Sequence, residues 1–127
     1  DALPILPARV TVGREAIEAP AEIQLVAYRT AQEALTNITK YAQAGRVRID
    51  LSDSEGVLTL EVTDDGCGMD LAASQAKPRS FGLRGLQERA KTVGGWLDIS
   101  SQPGRGTSVI VTVPLPWART NDEGEAQ

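Results

Sequence analysis

The chain has 127 residues, 13 basic and 17 acidic side chains for a net charge of −4, one cysteine and no histidine. That length suits a single domain with one core, and the missing histidine excludes a histidine general base, a Ser-His-Asp triad and any histidine-ligated metal. A lone Cys67 excludes an internal disulfide and a multi-cysteine metal site, and the acidic balance speaks against nucleic acid as a partner.

Residues 1–20 hold Pro4, Pro7 and Pro20, and the alternation Arg9-Val10-Thr11-Val12 predicts a short edge strand. From Pro20 the pattern turns helical: Ile23, Val26, Ala27, Thr30, Ala31, Ala34, Leu35, Ile38 and Tyr41 recur at three- and four-residue spacing. Pro20 suits the first turn and Gly45 the stop. Val47, Ile49 and Leu51 predict a strand, as do Val57, Leu58, Leu60 and Val62, and Ser52-Asp53-Ser54-Glu55-Gly56 joins them as a hairpin loop. The second strand runs into Asp64-Asp65-Gly66-Cys67-Gly68-Met69, and residues 70–81 show no period and read as a mobile loop.

Gly82 to Val93 predicts a second helix, with Leu83, Leu86, Ala90 and Val93 on one face and Gly94-Gly95 as its stop. Two strands follow, Trp96 to Ser101 and Thr107 to Val113, joined by the turn Gln102-Pro103-Gly104-Arg105-Gly106. Trp96 and Leu97 read as core, and Glu88, Arg89, Lys91 and Asp98 as a solvated face. The predicted domain is residues 1–115, with 116–127 a polar, disordered tail. No apolar run approaches the ~20 residues of a membrane span, and the N-terminus is no signal peptide. The expectation is a cytoplasmic domain without membrane contact of its own, one module of a longer protein.

Four groups of residues carry possible chemistry. Glu33, Asn37 and Lys40 fall within roughly 60° of one another at about 100° per residue, at the border of the apolar stripe. A carboxylate, an amide and an ammonium suit a magnesium–phosphate site, because Mg²⁺ takes few protein ligands and fills its shell with phosphate and water. The bland alternative is a solvated helix edge. Asp64-x-Gly66-x-Gly68 at a strand end places an acceptor for an exocyclic amino group beside glycines that let the backbone approach a flat base; an ordinary Asp-Gly turn would look the same. Gly82-Leu83-Arg84-Gly85-Leu86 opens a helix whose free N–H groups and positive dipole end form a phosphate cradle, or simply a glycine-rich cap. Gly104-Arg105-Gly106-Thr107 delivers a hydroxyl at a strand start, as many hairpins do. Cys67 reads as a small residue in a glycine turn, with no partner to make it a nucleophile.

Taken together, in this order, these groups resemble the ATP-binding domain of the superfamily of gyrase, heat-shock chaperone, histidine kinase and mismatch-repair ATPases, the GHKL or HATPase group. Gln32-Glu33-Ala34-Leu35-Thr36-Asn37-x₂-Lys40 and Phe81-Gly82-Leu83-Arg84-Gly85-Leu86-Gln87-Glu88-Arg89-Ala90 look like a bacterial two-component sensor histidine kinase, of the short-lid subclass that includes nitrate/nitrite sensors. The resemblance covers about residues 8–115. It implies an α+β fold, an α/β sandwich with a mixed, largely antiparallel sheet and helices on one face. It implies ATP and Mg²⁺ as cofactors, with Glu33 catalytic and Asn37 on the metal. Nucleotide contacts would come from Asn37, Lys40, Tyr41, Asp64, Gly66, Gly68, Met69, Gly82, Leu83, Arg84, Gly85 and Thr107, and residues 70–81 would be the ATP lid. Tyr41 stands where relatives of this subclass often carry histidine.

The implied activity is transfer of the ATP γ-phosphoryl to a histidine on a separate dimerisation domain, since this chain contains no histidine. The implied partners are that domain and, indirectly, a response regulator, with a homodimeric and membrane-anchored parent protein compatible with the resemblance. The alternatives are an anti-sigma-factor serine kinase of the same fold and a degenerate nucleotide-binding module used for protein contacts.

Overall fold

Residues 57–64 alternate with period two in the computed structural model, which describes residues 8–12, 17–38, 44–67 and 83–116. In this strand Leu58, Leu60, Val62 and Asp64 are buried, while Val57, Thr59, Glu61 and Thr63 are half-exposed. Successive side chains of a strand point to opposite faces, so one face is roofed and the other open. The strands are β1 (Ala8–Val12), β2 (Val47–Ser52), β3 (Val57–Asp64), β4 (Trp96–Ser101) and β5 (Thr107–Pro114). They form one sheet in the order β1-β2-β3-β5-β4. β1 pairs parallel to β2 and every other pairing is antiparallel. The sheet is mixed and largely antiparallel, and the expected strand at Arg9–Val12 lies at its edge.

Two helices cover one face: α1 (Ala21–Asn37) and α2 (Leu83–Thr92). α1 presents Ile23, Val26, Thr30, Ala34 and Ile38 to the core, and buried Thr30 returns its hydroxyl to the Val26 carbonyl at 2.8 Å. Ala27, Ala31 and Leu35 pack at the margin. The helical pattern is thus observed through Asn37, with Ile38 still helical at φ −60° and ψ −45°. The expected continuation to Tyr41, like residues 70–81 and the tail beyond 116, lies outside the described residues. α2 buries Leu86 and Ala90. It ends where Gly94 and Gly95 predict: Gly95 N–H reaches back to Ala90 and Gly94 N–H to Lys91, with Gly94 at φ +76°. That is a Schellman closure, whose left-handed residue is most easily glycine.

β3 ends at Asp64, so the aspartate motif sits at a strand end as expected. One expectation needs correction. Trp96 is not core; it is 49% exposed, while Leu97 is 8% exposed. Neighbours on a strand cannot both face the helices, and the burial of Leu97 puts Trp96 on the open face. That face carries a paired network instead of a core: Arg48 meets Asp50 at 3.0 Å and Glu61 at 3.7 Å, and Ser108 donates to Glu61 at 3.2 Å. Glu88, Arg89, Lys91 and Asp98 are exposed, as expected.

The turn between β4 and β5 is docked by backbone on the end of β3. Gly106 has φ +78°, and a Cβ there would stand 2.1 Å from the Asp64 carbonyl oxygen. Gly104 has φ +80° but faces open space. Gly104→Ala should therefore lose only the left-handed penalty of about 1–2 kcal/mol. Gly106→Ala should lose clearly more, because it adds a backbone clash to the same penalty. Parallel thermal or urea unfolding of the two variants checks this; equal losses would contradict it.

Candidate functional site

The strand registers align side chains into rungs across the helix-covered face. One rung reads Leu51, Leu60, Val111, Leu97, and the next Ile49, Val62, Val109, Ile99. The last rung reads Val47, Asp64, Thr107, Ser101. The face is apolar until its final rung, which is polar over three adjacent strands. Asp64 is only 5% exposed there. Its Oδ1 accepts the Gly66 N–H at 2.7 Å, and the Thr107 backbone N–H also reaches its carboxyl.

Burial pushes the Asp64 carboxyl above the usual aspartate range, assisted by the neighbouring Asp65 charge and opposed by the Gly66 and Thr107 N–H groups. An acid whose folded pKa is raised opposes folding once pH exceeds that pKa, and the penalty fades as pH falls toward 3.8. Asp64 in its ionised form is thus a group the fold accommodates at some loss of stability. Such perturbed carboxyls concentrate at functional sites.

Asp65 does the opposite. Its Oδ1 accepts the N–H groups of Gly45 and Arg46 at 2.8 Å each, and its own N–H donates to the Arg46 carbonyl at 3.3 Å. These bonds, the Arg46 N–H foremost, hold its exposed carboxyl below the usual range. The stabilisation is present above pH 3.8 and is lost as pH falls through the lowered folded pKa. Adjacent aspartates therefore divide the work: Asp64 faces inward, and Asp65 ties the start of β2 to the end of β3. Asp65 has no local signal in the sequence, because its partners lie some twenty residues away.

Pro20, Glu22 and Ile23 share a cavity of about 310 Å³ with Thr92, Val93, Gly94 and Pro116, so α1 begins and α2 ends beyond the far end of β5. With 17 residues α1 is ~25 Å long, about the length of an eight-residue strand. Its last turns carry Glu33 and Asn37, both half-buried. α2 runs antiparallel to α1, and the backbone of Leu83, Arg84 and Gly85 in its first turn points its free N–H groups the same way.

Clefts flank Asp64 on both sides. One of about 530 Å³ is lined by Arg46, Val47, Arg48, Thr63 and Asp65 besides Asp64. Another of about 310 Å³ includes Ser101, Arg105, Gly106 and Thr107. The structure brings Asp64, Gly66 and Thr107 together at one end of the sheet, while Glu33 and Asn37 lie half-buried on the last turns of α1. Lys40, Tyr41, Gly68, Met69 and Gly82 lie outside the described residues. Cys67 is exposed, and its carbonyl accepts the Gly104 N–H, which docks the hairpin turn on the glycine loop.

Comparison with known proteins identifies the family and the fold. The family of histidine kinase-, DNA gyrase B- and HSP90-like ATPases matches residues 22–116. The oxygen sensor histidine kinase NreB of Staphylococcus carnosus is 43% identical over 94 residues, 74% of this chain and 27% of that protein. The signal transduction histidine-protein kinase/phosphatase DegS of Brevibacillus brevis is 33% identical over 96 residues, 76% of this chain and 24% of its own length. The chain spans about a quarter of these relatives. The fold is shared with the histidine kinase domain of the Erythrobacter litoralis blue-light activated kinase, with a TM-score of 0.72 at 24% identity over 89% of this chain and 54% of that one. The chain belongs to the histidine kinase-, DNA gyrase B- and HSP90-like ATPase family, and within it is homologous to the catalytic domains of sensor histidine kinases.

Proposed function

We propose that this chain binds Mg·ATP at the Asp64 end of the sandwich and donates the γ-phosphoryl to a histidine of a separate dimerisation domain. The observation that carries the reading is the buried carboxylate of Asp64 in the polar rung that ends the helix-covered face. A lone acceptor at the end of an apolar slot suits a flat base with an exocyclic amino group. Asp64 would take that amino group and Gly66 would leave room beside it, with Gly68, Met69 and Tyr41 completing the base pocket. Thr107 would contact the same edge, directly or through water. The phosphates would lie toward Asn37, Lys40 and the first turn of α2, where Gly82, Leu83, Arg84 and Gly85 offer backbone donors.

The donor set also fits a magnesium ion held mainly by its nucleotide. Among the described residues no three acidic or cysteine side chains gather into a metal cage. Asn37 would add one amide oxygen to a shell otherwise filled by phosphate and water, and the bound ion would offset charge on the phosphates. The acceptor imidazole nitrogen would attack the γ-phosphorus, the bond to the β,γ-bridging oxygen would break, and ADP would leave. Glu33, on the same helix edge as Asn37, would receive the imidazole's other N–H and so orient and polarise it. The rest is positioning and charge stabilisation. The parent protein would dimerise and signal through a response regulator.

The reading predicts transfer to an added histidine-bearing helical hairpin, giving acid-labile phosphohistidine. Phosphoserine would indicate the serine kinase alternative, and absence of transfer to either acceptor the degenerate module. Asp64→Asn should weaken ATP binding by about 1–3 kcal/mol, the loss of a matched buried acceptor, as read by calorimetry. The raised pKa adds a pH signature. ATP affinity of the native chain should decline on acidification before an ordinary aspartate would titrate, whereas Asp64→Asn should lack that step. Asn37→Ala should abolish the strengthening of ATP binding by Mg²⁺; an undiminished Mg²⁺ effect would place the metal elsewhere.

A further inference from the structure

We propose that the outer face of α1 joins two copies of this chain, antiparallel, about a two-fold axis near Leu25 and Tyr28. α1 carries apolar side chains on two sides. One stripe, from Ile23 to Ile38, is buried against the sheet. The other lies on the opposite side of the helix, where Leu25 is 51% and Tyr28 61% exposed. A helix that packs only on its own sheet keeps its outer face polar. Among the described residues the third large apolar side chain so exposed is Trp96, on the open face of the sheet.

The spacing makes this outer stripe a seam. Ala21, Leu25, Tyr28, Gln32 and Leu35 follow one another at alternating steps of four and three, the repeat by which one helix packs along another. Along one flank of the seam stand Glu22 and Arg29, both exposed; the other flank holds Gln24 and Ala31, which are uncharged. Glu22 and Arg29 are separated by ~10 Å of helix, too far to pair within one chain. The Arg29 guanidinium donates to Gln32 at 3.1 Å, and neither charge forms an ion pair with a described residue.

These charges select the occupant and its direction. In a parallel pair of helices opposite flanks meet, and Glu22 and Arg29 would face only Gln24 and Ala31. In an antiparallel pair related by a two-fold axis, each flank meets the same flank of the copy run backwards. Glu22 then faces the second copy's Arg29, and Arg29 its Glu22, while Leu25 packs on Tyr28 across the seam. The face is therefore complementary to itself in shape and in charge, as an isologous interface requires. Its centre lies more than one turn N-terminal to Glu33, and self-association of this kind does not depend on the ATP-binding reading.

Sedimentation velocity of the 127-residue chain tests the pairing. The chain should pass from monomer to dimer between ~10 μM and ~1 mM, the range of a small interface. Leu25→Glu or Tyr28→Glu places a charge in the seam and should raise the dissociation constant about tenfold or more. Glu22→Arg and Arg29→Glu set like charges against each other and should each weaken pairing at least about threefold. The double reversal, Glu22→Arg with Arg29→Glu, should restore it, a recovery that damage to the helix would not give. A chain that stays monomeric up to ~1 mM overturns the proposal. So do seam variants that associate like the native chain, or a double reversal no tighter than the single ones. A monomeric chain whose Tyr28→Glu variant loses phosphotransfer to the added histidine hairpin would assign the stripe to that hairpin instead.

Discussion

Asp64 is the constraint around which this end of the molecule is arranged. Placing a carboxylate at the end of a buried apolar face is unfavourable, and the raised pKa registers that penalty. Two backbone N–H groups make it tolerable, one from Gly66 in the turn that follows and one from Thr107 across the sheet. Both depend on close backbone approach. The Gly66 bond needs the chain to fold back immediately after β3. The Thr107 bond needs β5 to start opposite Asp64, which the glycine at 106 permits by pressing against the Asp64 carbonyl. Lengthening or shifting either turn would leave the carboxylate without its donors.

The two faces of the sheet show why the site lies where it does. The open face pairs its charges laterally, Arg48 with Asp50 and Glu61, and hydroxyls with one another, so it remains solvated. The covered face has no such relief and is apolar through the rungs under α1 and α2. Only its last rung, at the mouth of the sandwich, turns polar, because there the helices end and ligand or water can reach it. In the proposed site α1 would supply Glu33 and Asn37 from its last turns, and α2 the backbone N–H groups of its first turn. The carboxylate, amide and helix N–H groups of the proposed site come from segments far apart in the chain.

Aspartates 64 and 65 illustrate how position divides identical side chains. Asp64 is turned inward and is destabilised by ionisation; Asp65 is exposed and is stabilised by it through Gly45 and Arg46. Their contributions to stability therefore have opposite pH dependence. Sequence reading separated Asp64 from its neighbour through the Asp-x-Gly-x-Gly pattern and the strand before it. Nothing local marks Asp65, because its partners belong to the start of another strand.

The spacing of residues by itself determined the element order, the buried stripe of α1, the Gly94 stop of α2 and the strand that ends at the aspartate motif. These are local properties, governed by backbone period and the conformational demands of glycine and proline. Trp96 is a local exception: its hydrophobicity suggests core, but period-two alternation puts it on the face opposite Leu97. Only the tertiary structure decided which strands lie side by side, and hence that Ser101, Thr107 and Asp64 form one polar rung. It also decided that α1 and α2 run antiparallel, and that Asp65 clamps the start of β2. Those outcomes depend on pairing registers and packing between distant segments, whose free energy is set by the assembled core and leaves no periodic trace in the chain.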